Sequence, residues 1–310
     1  MSTHTTADAG SPSGAGLRRA PNLRGRRRPG ESAIKAVLFV SALLSVAITV
    51  GIVVALIQPV IDFFGEVPFG DFFAKEGEFA VLPLVAGTLW ATFIALLLAV
   101  PLGLGAAMYL SEYATPKVRR VLKPTVELLA GVPSVVYGFF GLAFVSPTLL
   151  QDILGLEVGF TNVLAAGLVL GVMIIPTIAS LSEDAFTAVP LALRQGSYAM
   201  GANRMQTTLR VVLPAALSGV AASVVLGLSR AIGETMILAL VAGSQKNLSW
   251  DVREGMQTMT GFIAQKAGGE NPVGSTSYNT LFAVGLLLFA MTLVINIISI
   301  ALVRRFRQVY

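Results

Sequence analysis

Apolar residues along this chain fall in long, nearly uncharged runs. A helix needs about 20 such residues to cross a hydrocarbon layer about 30 Å thick. Six runs meet that length: roughly residues 36–58, 81–110, 118–145, 163–181, 209–242 and 281–303. Pro101 and Gly103 are expected to interrupt the second. Glu127 stands near the start of the third, which Gly131, Pro133 and Ser134 then break. The fifth carries Arg230 and Glu234. The pattern predicts an all-α polytopic membrane protein. Small-residue pairs, Gly138 with Gly141 and Gly167 with Gly171, let helices approach closely in lipid, so the spans are expected to form a bundle.

The segments between the runs alternate in charge. Residues 1–30 are polar and small, with a cluster at Arg18, Arg19, Arg24, Arg26, Arg27 and Arg28, and such a segment is expected to stay disordered. The loop after the first run holds Asp62, Glu66, Asp71, Glu76 and Glu78 against Lys75. Lys117, Arg119, Arg120 and Lys123 follow the second run, Asp152 and Glu157 the third, and Arg194, Arg204 and Arg210 the fourth. Arg304, Arg305 and Arg307 close the chain. Basic loops stay on the cytoplasmic side, so both termini are expected there, in a cell membrane. The expected divisions are a basic tail (1–30), a first span with its acidic external loop (31–78), and a five-helix core (79–305) that includes a cytoplasmic loop (182–208).

Composition agrees. The chain of 310 residues is 55% hydrophobic and 13% charged, with a mean hydropathy of +0.76. Soluble domains carry about 25% charged residues. The net charge of +5 is split among tails and short loops. The arginine cluster has no interleaved aromatics, which favours anionic headgroups over nucleic acid as its partner. The 36–61 stretch is too long for the h-region of a secretory signal. There is no cysteine, and the one histidine, His4, lies in the tail, so disulfides, thiolate chemistry and metal sites built on Cys or His are not expected. A Ser–His or Ser–Lys catalytic pair also lacks its base within the spans. No G-x-x-x-x-G-K-[ST] loop occurs, so any ATP hydrolysis belongs to a separate subunit. No cofactor is expected.

The candidate chemistry lies between Leu193 and Glu234. On a continuous helix Arg230 and Glu234 share one face, roughly 6 Å apart at Cβ. If Pro214 marks entry into lipid, Arg230 lies ~24 Å deeper. Charges at such depth usually mark a pathway. Two readings fit: an arginine fork for an oxyanion, moderated by the acid one turn away, or a structural tie between helices. The break at Gly131, Pro133 and Ser134 is either an anion-facing helix start or a packed kink. Glu127 reads as an edge or interhelical hydrogen-bonding residue. In the loop before, Glu183 and Asp184 are expected to open a short helix and Pro190 another, followed by a polar, helix-compatible run from Arg194 to Thr208. The long loop from Gly243 to Asn279 is expected to carry a surface helix over Val252–Gln265.

Three stretches carry a resemblance. Gln195-Gly196-Ser197, three residues, Gly201, nine residues and Val211-Val212-Leu213-Pro214 resembles the permease signature of ABC importers: Glu-Ala-Ala, three residues, Gly, nine residues, Ile, any residue, Leu-Pro. Gln195, Gly196 and Ser197 depart from that signature; Gly201, Leu213 and Pro214 keep it. Ser229-Arg230-Ala231-Ile232-Gly233-Glu234-Thr235 and Gly131-Val132-Pro133-Ser134-Val135-Val136-Tyr137-Gly138 are similar to segments of phosphate importer permeases, of the PstC type rather than the related PstA. The resemblance implies a type I ABC importer permease core and no catalysis by the chain itself. It implies a substrate pathway at Arg230, Glu234, Ser134 and Thr235, and an ATPase-coupling loop that includes Arg194, Gln195, Gly201, Arg204, Leu213 and Pro214. The implied partners are an ATP-binding cassette dimer, a second permease, an extracytoplasmic phosphate-binding protein and inorganic phosphate. Another oxyanion, or a passive channel, are the competing readings.

Overall fold

The computed structural model describes residues 29–305. The arginine cluster, His4 and Arg307 lie outside them. The described residues are mostly helical and contain no strand. Nine helices matter here: α1 (Pro29–Glu66), α2 (Leu82–Met108), α3 (Pro116–Ala130), α4 (Ser134–Phe140), α5 (Val163–Thr187), α6 (Leu191–Ala199), α7 (Leu213–Gly233), α8 (Met259–Ala267) and α9 (Thr276–Arg305). Helix α2 runs on as a π-helical turn to Tyr113, α4 continues in π-helical form to Ile153, and α7 is preceded by Arg204–Thr207 and a π-helical turn. Six of these continuous helices are long and apolar enough to cross a membrane: Glu31–Glu66, Leu82–Tyr113, Ser134–Ile153, Val163–Thr187, Arg204–Gly233 and Thr276–Ala301.

The chain divides into two compact units between Gly51 and Ile52, inside α1. In the first, α1 is apolar all round, with Leu38, Phe39, Leu43 and Leu44 exposed, which is the surface of a helix solvated by lipid. In the second, the end of α1 places Val60 and Phe63 in a cluster with Phe72, Val81, Leu84, Met259, Phe262 and Val284.

Helix α5 is the axis of the second unit, with Ala166, Leu170, Met173, Ile174 and Ile178 buried. It is seated against α2 by the predicted glycine pair. A Cβ on Gly167 would stand 2.6 Å from Ile94 Cβ, and one on Gly171 would stand 2.9 Å from the Ala95 carbonyl oxygen. Only hydrogen side chains let the backbones come this close. On its other flank α5 meets α7, where the buried Ser182 and Ser223 hydroxyls lie 2.7 Å apart.

Four expectations are corrected. Residues 118–130 are not part of the third span. They form α3, which buries no side chain, exposes Val118, Val121, Leu122, Leu128 and Leu129 along one side, and places Glu127 outside the span. Four cations in its first two turns exclude it from a lipid core, and the span proper starts at Ser134. The second span is not interrupted: α2 passes through Pro101, and Gly103 fits against Ile178 instead of breaking the helix. Glu183 and Asp184 do not open a helix but lie in the last turns of α5. The Val252–Gln265 helix begins only at Met259, and it does not lie on the surface, since Met259, Thr260, Gly261 and Phe262 are buried. The Thr258 hydroxyl caps it by accepting from Gly261 N, and Thr88 Oγ1 accepts from Met259 N at 2.9 Å, so the helix start is drawn inward onto α2.

Candidate functional site

Arg230 lies one turn before the end of α7 and is exposed in the single chain. Its Nη1 donates to Thr177 Oγ1 on α5 at 3.0 Å. Glu234 does not share its helix face. The helix stops at Gly233, and Glu234 is extended, with φ −67° and ψ 131°. Its Oε1 accepts from Met236 N at 3.1 Å and from Ile237 N at 3.5 Å, capping the helical segment over residues 236–242. The expected single helix over 209–242 is therefore two pieces. Glycine weakens the helix, and a capping carboxylate rewards the break. Among the described residues no ion pair joins Arg230 to Glu234. Thr235 Oγ1 donates to the Gly233 carbonyl at 3.4 Å, and Thr260 Oγ1 donates to the Glu234 carbonyl at 2.7 Å, so α8 ties down the break.

Ser134 begins α4 just after Pro133, as the break in the third run predicts. Across that break Tyr137 donates its hydroxyl hydrogen to the Leu129 carbonyl at 3.0 Å. Gly138 seats α4 on the capped segment: a Cβ there would meet Leu240 Cδ1 at 2.8 Å and Ile237 Cα at 3.4 Å. The elements that carry Ser134, Glu234 and Thr235 are thus packed together, and Thr177 links Arg230 to the axis helix α5. Periodicity does not single out Thr177, one polar residue within an apolar run.

At the basic end of the bundle the 182–208 loop folds into α6 and a tight return. Gly201 has φ +83°, a left-handed conformation that glycine adopts without a Cβ penalty. Asn203 and Gln206 form a reciprocal capping box, and Ser197 Oγ lies 2.9 Å from Thr207 Oγ1. Leu213 and Pro214 open α7, where proline fits the first turn. Gln195, Gly201 and Arg204 are exposed, and Arg204 lies over the Tyr113 ring at 5.8 Å. Arg194 is different. It donates to Glu112 Oε1 from Nη2 at 2.9 Å, to the Phe186 carbonyl at 2.7 Å and to the Val189 carbonyl. Its fork is spent inside the chain, where it fixes α6 to α2 and α5.

Sequence reasoning missed a second anchor at this end. Glu183 is fully buried and accepts from Arg119 and Lys123 of α3 and, at 3.2 Å, from Thr187 Oγ1. Lys123 also reaches Asp184 at 2.8 Å. These hydrogen bonds, to Asp184 first and then Glu183, raise the Lys123 pKa against the opposing effect of burial. The four-residue spacing of Arg119 and Lys123 was the available signal, since it puts both on one face of α3.

Residues 99–308 match the family described as the binding-protein-dependent transport system inner membrane component. The chain belongs to that family. The matched part of this inner membrane component holds the helix break at Arg230 and Glu234, the Gly201 return and the Arg194 anchor; α1 lies outside it. The chain is 40% identical over 219 residues to the probable ABC transporter permease protein YqgH of Bacillus subtilis, covering 70% of each. It is 34% identical over 251 residues to the phosphate transport system permease protein PstC of Haemophilus influenzae, covering 76% of this chain and 78% of that one. Among solved structures, a bacterial alginate ABC transporter in complex with an alginate pentasaccharide-bound periplasmic protein superposes with a TM-score of 0.63 at 18% identity, covering 88% of this chain and 96% of that chain. The fold is thus that of an ABC importer permease, within an integral membrane protein.

Proposed function

We propose that this permease carries inorganic phosphate inward across a bacterial cell membrane, with both termini cytoplasmic. It works in an assembly with a second permease, two ATP-binding cassette subunits and an extracytoplasmic phosphate-binding protein. The chain itself makes and breaks no covalent bond. One observation carries the reading: a guanidinium within the fifth span, bonded to a neutral threonine and, among the described residues, with no paired carboxylate. A fork of donors in that setting suits a tetrahedral oxyanion. The phosphate transport relatives supply the choice of anion. The exposure of Arg230 in the single chain supports a pathway between two permeases rather than within one. In this reading Ser134 and Thr235 supply further hydroxyls to the path, and Glu234 sets the break that ends the helix there.

The exposed rim of the 182–208 loop, with Gln195, Tyr198, Met200, Arg204 and Met205, is the surface offered to the ATPase. Gly201, Leu213 and Pro214 set its shape, and Arg194 transmits its movement to α2 and α5. The test is labelled phosphate uptake by the full assembly in proteoliposomes, comparing wild type with Arg230→Gln. The variant is expected to assemble, to hydrolyse ATP and to accumulate no phosphate. Wild-type uptake by that variant, or wild-type uptake without ATP, overturns the reading.

A further inference from the structure

At the acidic end of the bundle, away from Arg230, a cavity of about 460 Å³ opens between the segment after Gly243 and α8. Two lysines line it. Lys246 is half-buried, donates from Nζ to the Glu78 carbonyl and lies 4.8 Å from the centre of the Phe262 ring. Lys266, in the last turn of α8, donates from Nζ to Ser277 Oγ at 2.8 Å. Among the described residues neither takes part in an ion pair. Burial, and next the charge of Lys266, lower the Lys246 pKa, while the Glu78 charge opposes them less. Two cations that repel one another in a partly dehydrated space are costly unless an anion shares it.

The neutral groups around them also present donors. Gln257 Nε2 donates to Gln265 Oε1 at 2.7 Å, and Gln265 Nε2 donates to Ser244 Oγ. Ser244 accepts in that chain, which leaves its own O–H to donate, and each amide keeps a second N–H. Two carboxylates, Glu78 and Glu270, line the same cavity; both are exposed, Glu78 reaches Lys246 through its backbone carbonyl, and among the described residues neither forms an ion pair with a lysine.

The geometry points to an oxyanion-binding site at this mouth, in which Lys246 and Lys266 together hold inorganic phosphate before it reaches Arg230. The inference rests on the reading of the chain as a phosphate permease. Its position suits a first station. Helix α8 carries Lys266 at one end and Thr260 at the other, and Thr260 bonds to the Glu234 carbonyl at the helix break. Along α8 the two residues are ~9 Å apart, so the site and the break are joined by one short rigid element.

The test uses the complete transporter in lipid nanodiscs, without the binding protein. An amine-reactive acylating reagent is applied with and without inorganic phosphate at matched ionic strength, with chloride as the balancing anion, and modified lysines are quantified by peptide mass spectrometry. Phosphate at ten times its dissociation constant is expected to slow acylation of Lys246 and Lys266 by about tenfold. The reference residues Lys75 and Lys117 should be unaffected. Lys246→Gln should remove the protection at Lys266. Equal protection by chloride overturns the site; so does protection that phosphate alone does not give and that appears only in a second arm with phosphate-loaded binding protein added, because the lysines would then be a protein contact. Loss of uptake in Arg230→Gln together with no phosphate protection removes this site and leaves the permease reading standing. Phosphate protection together with wild-type uptake in Arg230→Gln keeps the site and removes the Arg230 pathway.

Discussion

Arg194 and Glu112 share a single oxygen: Nη2 and Nε of the arginine both donate to Glu112 Oε1, at 2.9 and 3.3 Å. The two side chains are 12% and 5% exposed, and the same guanidinium satisfies two carbonyls at the end of α5 and just beyond it. Removing one partner of such a pair leaves the other charge stranded, at a cost of about 3–5 kcal/mol. Arg194→Ala should therefore lower the melting temperature of the purified assembly and weaken phosphate-coupled ATP hydrolysis. Arg194→Lys should rescue little, because an ammonium cannot reproduce a planar fork. An Arg194→Ala protein that melts with wild type would contradict the anchor.

Gly201 turns the chain between α6 and the run into α7 at φ +83°. No neighbouring atom lies within 4 Å of where its Cβ would be, so a substitution there tests backbone conformation alone. Gly201→Ala should destabilise by about 1–2 kcal/mol, the usual penalty of a left-handed L-residue. Limited proteolysis within residues 199–203 would report the loosening; an unchanged cleavage rate would mean that the turn is not strained.

Gly171 lies against the backbone of α2, where a Cβ would meet the Ala95 carbonyl oxygen at 2.9 Å. A backbone atom cannot rotate away as a side-chain tip does. Gly171→Val should push α5 from α2 at a cost of about 1–3 kcal/mol, read as a lower melting temperature and a lower yield of assembled transporter. Gly285, on α9 with open space around it, is the control, and Gly285→Ala should change neither quantity.

The clasp of α3 on α5 has a pH signature. Lys123 has a folded pKa raised above its ordinary 10.5 by its bonds to Asp184 and Glu183. A raised folded value means that the stabilising contribution is complete below the unfolded pKa and vanishes as pH climbs through the folded one. The melting-temperature gap between wild type and Lys123→Met should thus hold from neutral pH to about pH 10 and then close. A gap that widens with alkalinity would show that the lysine acts through its aliphatic stem rather than its charge.

Long apolar runs made the six helices legible, and the glycine pairs made close helix packing legible without naming the partners, because lipid imposes both on composition; only Gly167 and Gly171 turn out to face α2. The spacing that singled out Gly201, Leu213 and Pro214 falls on a tight turn and a helix start, whereas the inward anchor of Arg194 left no signal in it. The errors have a common cause. Gly131 and Pro133 were visible breakers, yet the apolar side of α3 merged with the span that follows, and only the placement of its four cations separates them. Glu234 was assigned to the face of Arg230 because a 3.6-residue period assumes an unbroken helix, and a capping carboxylate abolishes that assumption. Glu183 was read as a helix opener since a short acidic pair says nothing of its partners 60 and 64 residues away. The start of α8 was hidden for the same reason: Thr88 receives it from a distant helix.

The hydrogen bond from Thr260 to the Glu234 carbonyl has a mechanical consequence. With Met259 held by Thr88 and Thr260 held at the break, the chain from Gly243 to Thr258 is anchored at its far end, and Met256 N, bonded to the Ala242 carbonyl, folds it back onto its own start. A load on that segment is therefore delivered to the Glu234 carbonyl, four residues after Arg230, and under the proposed pathway it would couple whatever sits on the far rim to the helix break.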